Sequence, residues 1–255
     1  MNSLYENEDQ AWPSPTTFPK ISSDQIHLWR VRLDGVGYQD ERLAAVLSVE
    51  EQERAQRFRF DQHRFRFIRT HAITRMILAK YTSVDPSLLT FASGPRGKPF
   101  LAPDQHQHLR FNLSHSGDLM VLGIAVDHEL GVDVEVINDQ VEWRQVAVNY
   151  FNQYELEGIT SIPTRNQQLI TFYRVWTIKE AYLKARGDGL TAGLDGVVVN
   201  LEPTDPDIFL QLPGGEKEKR RWQVSTFRPA AGACGAVVVQ RSQLPLRLIQ
   251  YNWTD

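Results

Sequence analysis

The chain lacks the residues that usually staple or anchor a fold. Among 255 residues there is one cysteine, Cys234, so no internal disulfide can form, which fits a reducing compartment and a cytoplasmic location. Cys234 lies in GACGAVVV and reads as a packed strand residue rather than a nucleophile. Long apolar runs are missing as well. The longest, LMVLGIAV at 119–126, is too short to cross a bilayer as a helix. The N-terminus, MNSLYENEDQAWPSPTTFPK, has acids and then prolines, without the basic start and apolar run of a secretory signal. Neither charge dominates: 28 Lys and Arg against 31 Asp and Glu leave −3, which excludes a global basic field for nucleic acid. An anionic ligand must therefore be held by locally placed cations. What is present, 42 % hydrophobic and 23 % charged residues, is an ordinary globular composition, long enough for one large domain or two small ones.

The first 25 residues are expected to form a loose arm. IHLWRVRL (26–33) alternates like a strand. LSVEEQERAQRF (47–58) opens with Ser48 and has Glu51 three residues on, a capping box that starts a helix. RFRFIRTHAITRMILAKY (64–81) predicts a longer helix. SGPRGKPFL (93–101) is a turn cluster, and LRFNLSHSG followed by DLMVLGIAVD predicts strand, sharp turn, strand. The second half repeats this plan: the strand GVDVEV (131–136), one helical stretch over 141–159, and a long helix over 167–186 stopping at Gly187. LDGVVVNLEP, RWQVSTFRPA and GACGAVVVQ then read as strands. FRPAAGACGAVVVQ echoes FNLSHSGDLMVLGIAV, so we expect an α+β chain of two similar α/β halves, 26–127 and 128–255, with a site between them.

GVDVEV carries two carboxylates in a strand. Residues two apart share a face, so Val132, Val134 and Val136 point into a core and Asp133 and Glu135 point together the other way. That face either meets solvent or holds a cation, because two close carboxylates otherwise repel. WTIKEAYLKARGDGL (176–190) places Glu180 and Lys184 four apart on one helix face, an ordinary surface ion pair except that Trp176, Ile178, Ala181, Tyr182 and Leu183 surround it. Buried charges need compensation. Glu180 beside Asp133 and Glu135 would complete an all-oxygen site suited to Mg2+, with Lys184 facing the phosphate the metal holds. In NLSHSG (112–117), Ser114, His115 and Ser116 lie in a turn closed by Gly117, where hydroxyls, imidazole and backbone N–H groups can surround an anion. Arg54, Arg64, Arg66, Arg69, Arg75 and Lys98 form a scatter of bases that read as solvated charges unless these motifs gather them.

GKPFL, FNLSHSG, GVDVE and WTIKEAYLKARGDGL come in the order and approximate spacing of the Sfp-type 4′-phosphopantetheinyl transferases, which this chain resembles over roughly residues 45–190. The resemblance implies a pseudo-twofold monomer with coenzyme A and Mg2+ in the cleft between its halves. It implies transfer of the phosphopantetheine arm of coenzyme A to a serine of an apo acyl, polyketide or peptidyl carrier protein, releasing adenosine 3′,5′-bisphosphate. By motif, Asp133, Glu135 and Glu180 match the metal-binding acids and Lys184 a lysine on the pyrophosphate. Ser114, His115, Lys98, Arg54 and Arg66 match groups holding the 3′-phosphoadenosine end. Where the family can carry a further base, this chain has Glu51, which shifts the grip on the 3′-phosphate toward Arg54 and Arg66. Glu180 is the first candidate for the base that deprotonates the carrier serine, Glu135 the second, and Glu155 in FNQYE a weaker one at the cleft edge. The segment 140–165 is expected to dock the carrier. Two rivals stand beside this reading. A Mg2+-dependent nucleotide phosphoesterase would also use acids and a lysine, but with more His or Asp ligands for a second metal. A non-catalytic coenzyme A-binding module would keep its ligand after Asp133→Ala.

Overall fold

The computed structural model describes residues 12–35, 38–102, 104–106, 108–187, 193–202 and 204–254. The first eleven residues of the expected arm and the 188–190 end of the WTIKEAYLKARGDGL motif lie outside them. The first half runs β1 (Gln25–Arg32), α1 (Asp40–Ala45), α2 (Val49–Gln56), α3 (Asp61–Thr82), β2 (Phe91–Ser93), β3 (Pro99–Leu101), β4 (Leu109–Ser116) and β5 (Leu119–Val126). The chain continues through β6 (Leu130–Val136), α4 (Trp143–Tyr150), α5 (Gln153–Ser161) and α6 (Arg165–Arg186). It closes with β7 (Val198–Val199), β8 (Phe209–Gln211), α7 (Gly215–Arg221), β9 (Trp222–Phe227), β10 (Ala233–Gln240) and β11 (Arg247–Asn252). This is a mixed α+β fold, as expected.

Two sheets carry it, in strand order β11-β1-β5-β4 and β6-β10-β9. Alternation along each strand buries both faces. Ile26, Leu28, Val121 and Ala125 of the first sheet meet Val132, Val134, Val237 and Val239 of the second in one apolar cluster. The other face of the first sheet, Trp29, Val31, Met120, Leu122 and Ile124, packs on Ile73, Ile77 and Leu78 of α3. The other face of the second sheet, Ala236 and Val238, packs on Val175, Ile178 and Tyr182 of α6. The order of layers is helix, sheet, sheet, helix, and each covering helix has 22 residues. Gly187, at φ 71°, ends α6 in the left-handed conformation that a glycine adopts without strain.

Several expectations change. The arm is not loose from Trp12 onward: Trp12 is buried, its Nε1 donates to Arg228 O at 3.1 Å, and Phe18 stacks on Trp29 at 5.1 Å between centroids. Aromatic side chains supply the burial that the proline-rich backbone cannot. The single helix over 141–159 is two helices, because Asn152 caps a new one and Glu155 returns the bond, a second capping box. The first capping box, Ser48 with Glu51, forms as expected at the start of α2. The stretch LDGVVVNLEP yields only the two residues of β7. Val136 is exposed at the end of β6, whereas Val132 and Val134 are fully buried. The last strand, β11, pairs in parallel with β1, so the C-terminus returns to the first sheet.

Candidate active site

Gly131, Asp133 and Glu135 share the face of β6 that looks at α6. A Cβ on Gly131 would lie 2.0 Å from Ala181 O and 2.2 Å from Ala185 N, so the glycine lets the helix backbone sit directly on the strand. That approach brings Lys184 Nζ within 2.7 Å of Asp133 Oδ1 and 3.0 Å of Ser114 Oγ, while Ser114 Oγ donates to the same carboxylate oxygen at 2.9 Å. Ser116 Oγ donates to Glu135 Oε2 at 2.7 Å. Asp133 is 3 % exposed and Glu180 5 %, which excludes a solvated strand face. A cleft of about 470 Å3 opens over these groups, walled also by Trp176, Arg96 and Lys98.

Electrostatically the acids are strained. Burial, then the charges of Asp133 and Glu135 against the relief given by Lys184, pushes the pKa of Glu180 up to about 7. Burial also raises Asp133, opposed by the ion pair with Lys184 and the Ser114 hydroxyl. It raises Glu135 too, opposed by the Ser116 hydroxyl. Two buried oxygens, Asp133 Oδ2 and Glu180 Oε1, have no hydrogen-bond partner. Among the described residues no three His, Cys, Asp or Glu side chains are grouped closely enough to hold a metal ion, and Lys184 holds one side of Asp133. The three expected acids line the same cleft without closing on one another, Lys184 standing against Asp133. Orphaned anionic oxygens beside a raised carboxyl are what a hard divalent cation satisfies, so the residues fit such an ion.

The other expected residues divide. His115 alternates to the opposite side of β4 from Ser114 and Ser116 and walls both the cleft and a second cavity of about 490 Å3. That second cavity is lined by Arg54, Arg66, His63, His71, Phe58 and Phe67. Arg54 lies over the Phe67 ring at 5.3 Å, and Arg66 Nε donates to Asp118 Oδ1 at 2.6 Å. Partial desolvation of the His115 ring by its neighbours, then repulsion from Lys184, His71 and Arg66, hold its pKa below the ordinary histidine value.

Four expectations are corrected here. NLSHSG is strand as far as Ser116, not an anion-cradling turn, and its serine hydroxyls donate to carboxylates. Lys98 does not present a free cation: its Nζ donates to Glu129 Oε2 (2.8 Å), Leu130 O (3.0 Å) and Ala185 O (3.0 Å), tying β6 to the end of α6. Glu155 is nowhere near the cleft edge; it is fully buried in an ion pair with Lys179 at 2.6 Å. Arg75 is a buried structural cation on Glu51 Oε2 (2.7 Å) and on Pro86 O and Leu89 O. Glu51 also accepts from Ser48 N and faces His71 Nδ1 at 2.9 Å. Those hydrogen bonds and the Arg75 charge overcome its burial and hold its carboxyl down at about 2. Cys234 is inert as expected, its thiol pushed up to about 12 by burial. Sequence reasoning passed over Arg96, His63 and His71, and read Trp176 only as an apolar neighbour of the Glu180–Lys184 pair. Arg96 precedes GKP and Trp176 opens WTIKE, so both were inside quoted motifs; nothing in the spacing singled out the histidines.

A family model described as 4′-phosphopantetheinyl transferase superfamily matches residues 129–238, and one described as 4′-phosphopantetheinyl transferase, N-terminal, matches residues 38–126. The chain is 40 % identical over 228 residues to the 4′-phosphopantetheinyl transferase HetI of Nostoc sp. strain PCC 7120, covering 89 % of this chain and 92 % of HetI. It is 30 % identical over 214 residues to a phosphopantetheinyl transferase of Thraustochytrium sp., covering 78 % and 74 % of the two chains. It is 28 % identical over 178 residues to the 4′-phosphopantetheinyl transferase Sfp of Bacillus subtilis strain 168, covering 69 % and 75 %. The chain belongs to the Sfp-type 4′-phosphopantetheinyl transferase family and is an enzyme of that class. No helix among the described residues is long and apolar enough to cross a membrane.

Proposed function

We propose that the chain moves the 4′-phosphopantetheine arm of coenzyme A onto a serine of apo acyl, polyketide or peptidyl carrier proteins, with Mg2+ held by Asp133, Glu135 and Glu180. The observation that carries this reading is the pair of buried, unpartnered oxygens, Asp133 Oδ2 and Glu180 Oε1, in a cleft that also holds the Lys184 ammonium. In the reaction the serine Oγ bonds to the β-phosphorus. The bond from that phosphorus to the bridging oxygen breaks, and its electron pair leaves on adenosine 3′,5′-bisphosphate. A bound Mg2+ would neutralise pyrophosphate oxygens during this displacement. Lys184 offsets charge on the leaving side. The serine proton passes to a carboxylate, Glu180 first and Glu135 second, and a pKa pushed to about 7 suits Glu180 for that task near neutral pH. Ser114 in the cleft and His115, which walls both cavities, lie on the way to the second one, where Arg54 and Arg66, joined by His63 and His71, take the 3′-phosphoadenosine end. Lys98 acts at the cleft wall through its stem, and its charge fixes the backbone.

The paired helix-on-sheet halves, each with a 22-residue helix on its outer face, support a pseudo-twofold monomer with a junction near 127–128. Val148, Tyr150 and Tyr154, exposed on α4 and α5, give the 140–165 segment an apolar face for a carrier. A cytoplasmic location fits these substrates. The test is to incubate the protein with coenzyme A, Mg2+ and apo carriers of each type and weigh the carriers. A phosphopantetheine mass gain is expected. Cleavage of coenzyme A without any gain would favour the phosphoesterase, and binding without either would favour the binding module.

A further inference from the structure

Strands β4 and β6 are both edge strands, each at the end of its own sheet. An edge strand presents N–H groups that need an acceptor. Here the acceptors are side chains of the other sheet. Asn112 Oδ1 accepts from Val132 N at 2.8 Å, and Ser116 Oγ accepts from Val136 N at 3.1 Å. Both pairs are separated by 20 residues, so the strands run side by side in the same direction and in step. Between them Ser114 donates to Asp133. Asn112, Ser114 and Ser116 lie on one face of β4 and replace a backbone ladder with a polar side-chain one. Ser116 does two things with one oxygen: it receives the β6 backbone N–H and gives its own proton to Glu135 Oε2 at 2.7 Å.

We propose that Ser116 is a positioning residue that aims the Glu135 carboxylate into the cleft and couples its direction to the register of the two sheets. A half-buried glutamate with free torsions samples several rotamers, and a fixed donor selects one. The hydroxyl engages only Oε2 of Glu135, which lines the cleft, while its acceptor side stays pinned to the backbone N–H that follows Glu135. The inference rests on the transferase reading, because it gives Glu135 work to do at the metal.

The test compares Ser116→Ala and Ser116→Thr with wild type by calorimetric Mn2+ titration in the presence of coenzyme A and by transfer kinetics. Ser116→Ala is expected to weaken Mn2+ binding and lower kcat about tenfold or more, with KM for coenzyme A within twofold, and Ser116→Thr to restore both. Wild-type metal binding and kcat in Ser116→Ala would overturn the proposal. So would Thr failing as badly as Ala with an equal fall in melting temperature, since that is loss of register alone. If Ala does not fold, Ser116→Cys replaces it: weakened metal binding in Cys beside a normal Thr supports the proposal, and wild-type behaviour in both overturns it. Absence of metal binding and transfer in the wild-type protein is a different result and counts against the transferase reading itself.

Discussion

Lys179 and Glu180 are neighbours on α6, yet they belong to opposite kinds of charge cluster. Successive helix residues point about 100° apart, so the two side chains enter different surroundings. Lys179 is fully buried, with Glu155 Oε2 at 2.6 Å, Leu194 O at 3.0 Å and Tyr150 O at 3.3 Å. Its partner is equally complete, since Glu155 also accepts from Asn152 N and Val199 N, each at 2.8 Å. Burial pushes Glu155 up and Lys179 down, and each charge counteracts the shift of the other. Glu180 lies among two further acids and keeps an oxygen with no partner. A closed set of charges fixes structure; an open one is a place for something else to bind. The cluster around Lys179 pins α5 and the segment before β7 to α6, and so holds steady the helix that presents Glu180.

The largest effect expected from breaking this contrast is catalytic. Glu180→Gln should lower kcat about 10²- to 10⁴-fold. Its melting temperature at pH 8 should equal or exceed wild type, because a charge repelled by Asp133 and Glu135 is removed. Full activity would take Glu180 out of the mechanism. Lys179→Met should do the reverse, costing about 3–5 kcal/mol in urea unfolding by stranding a buried carboxylate, while the folded fraction keeps its KM for coenzyme A. Adding Glu155→Leu should recover most of that loss.

The contrast extends to pH, read as stability in metal-free buffer. His27 is fully buried, and burial lowers its pKa from 6.5 to about 4. The unfolded chain therefore binds the extra proton first. His27 contributes about 3 kcal/mol that is complete above pH 6.5 and lost as pH falls toward 4. Glu180 has the opposite sign: its pKa rises from 4.5 to about 7, so the folded state binds the proton first and gains stability as pH falls from 7 to 4.5. His27→Gln should leave a curve that climbs on acidification, and Glu180→Gln one that drops more steeply than wild type. Parallel slopes for the two variants would contradict these assignments. Gly131→Ala tests the same contrast through packing and is expected to cost about 3 kcal/mol or more, because its Cβ would meet the backbone of α6 and force the helix off β6. It should lower kcat more than a substitution elsewhere of equal stability cost, because it moves Glu180 away from Asp133.

The Ser48–Glu51 capping box, the strand alternation and the two long helices were readable from the chain because they rest on residues two to four apart. The acids were readable for a related reason: Asp133 and Glu135 break an otherwise apolar strand, and Glu180 breaks an apolar helix. The role of Glu155 was not readable, since 141–159 reads as one continuous helix until Asn152 is seen to split it and Lys179 to arrive from 24 residues away. The hydrogen bonds of Lys98 were not readable for the same reason, its three acceptors coming from Glu129, β6 and α6.

By itself the sequence determined which residues are chemically out of place: carboxylates in GVDVEV, a lysine and a glutamate in an apolar helix, a hydroxyl-rich strand end in NLSHSG. Periodicity and composition are local properties, and a single chain displays them directly. Only the tertiary structure decided which of those charges are closed and which are open. That depends on acceptors contributed by strands and helices far apart in the chain, and on the missing Cβ of Gly131 that lets α6 touch β6.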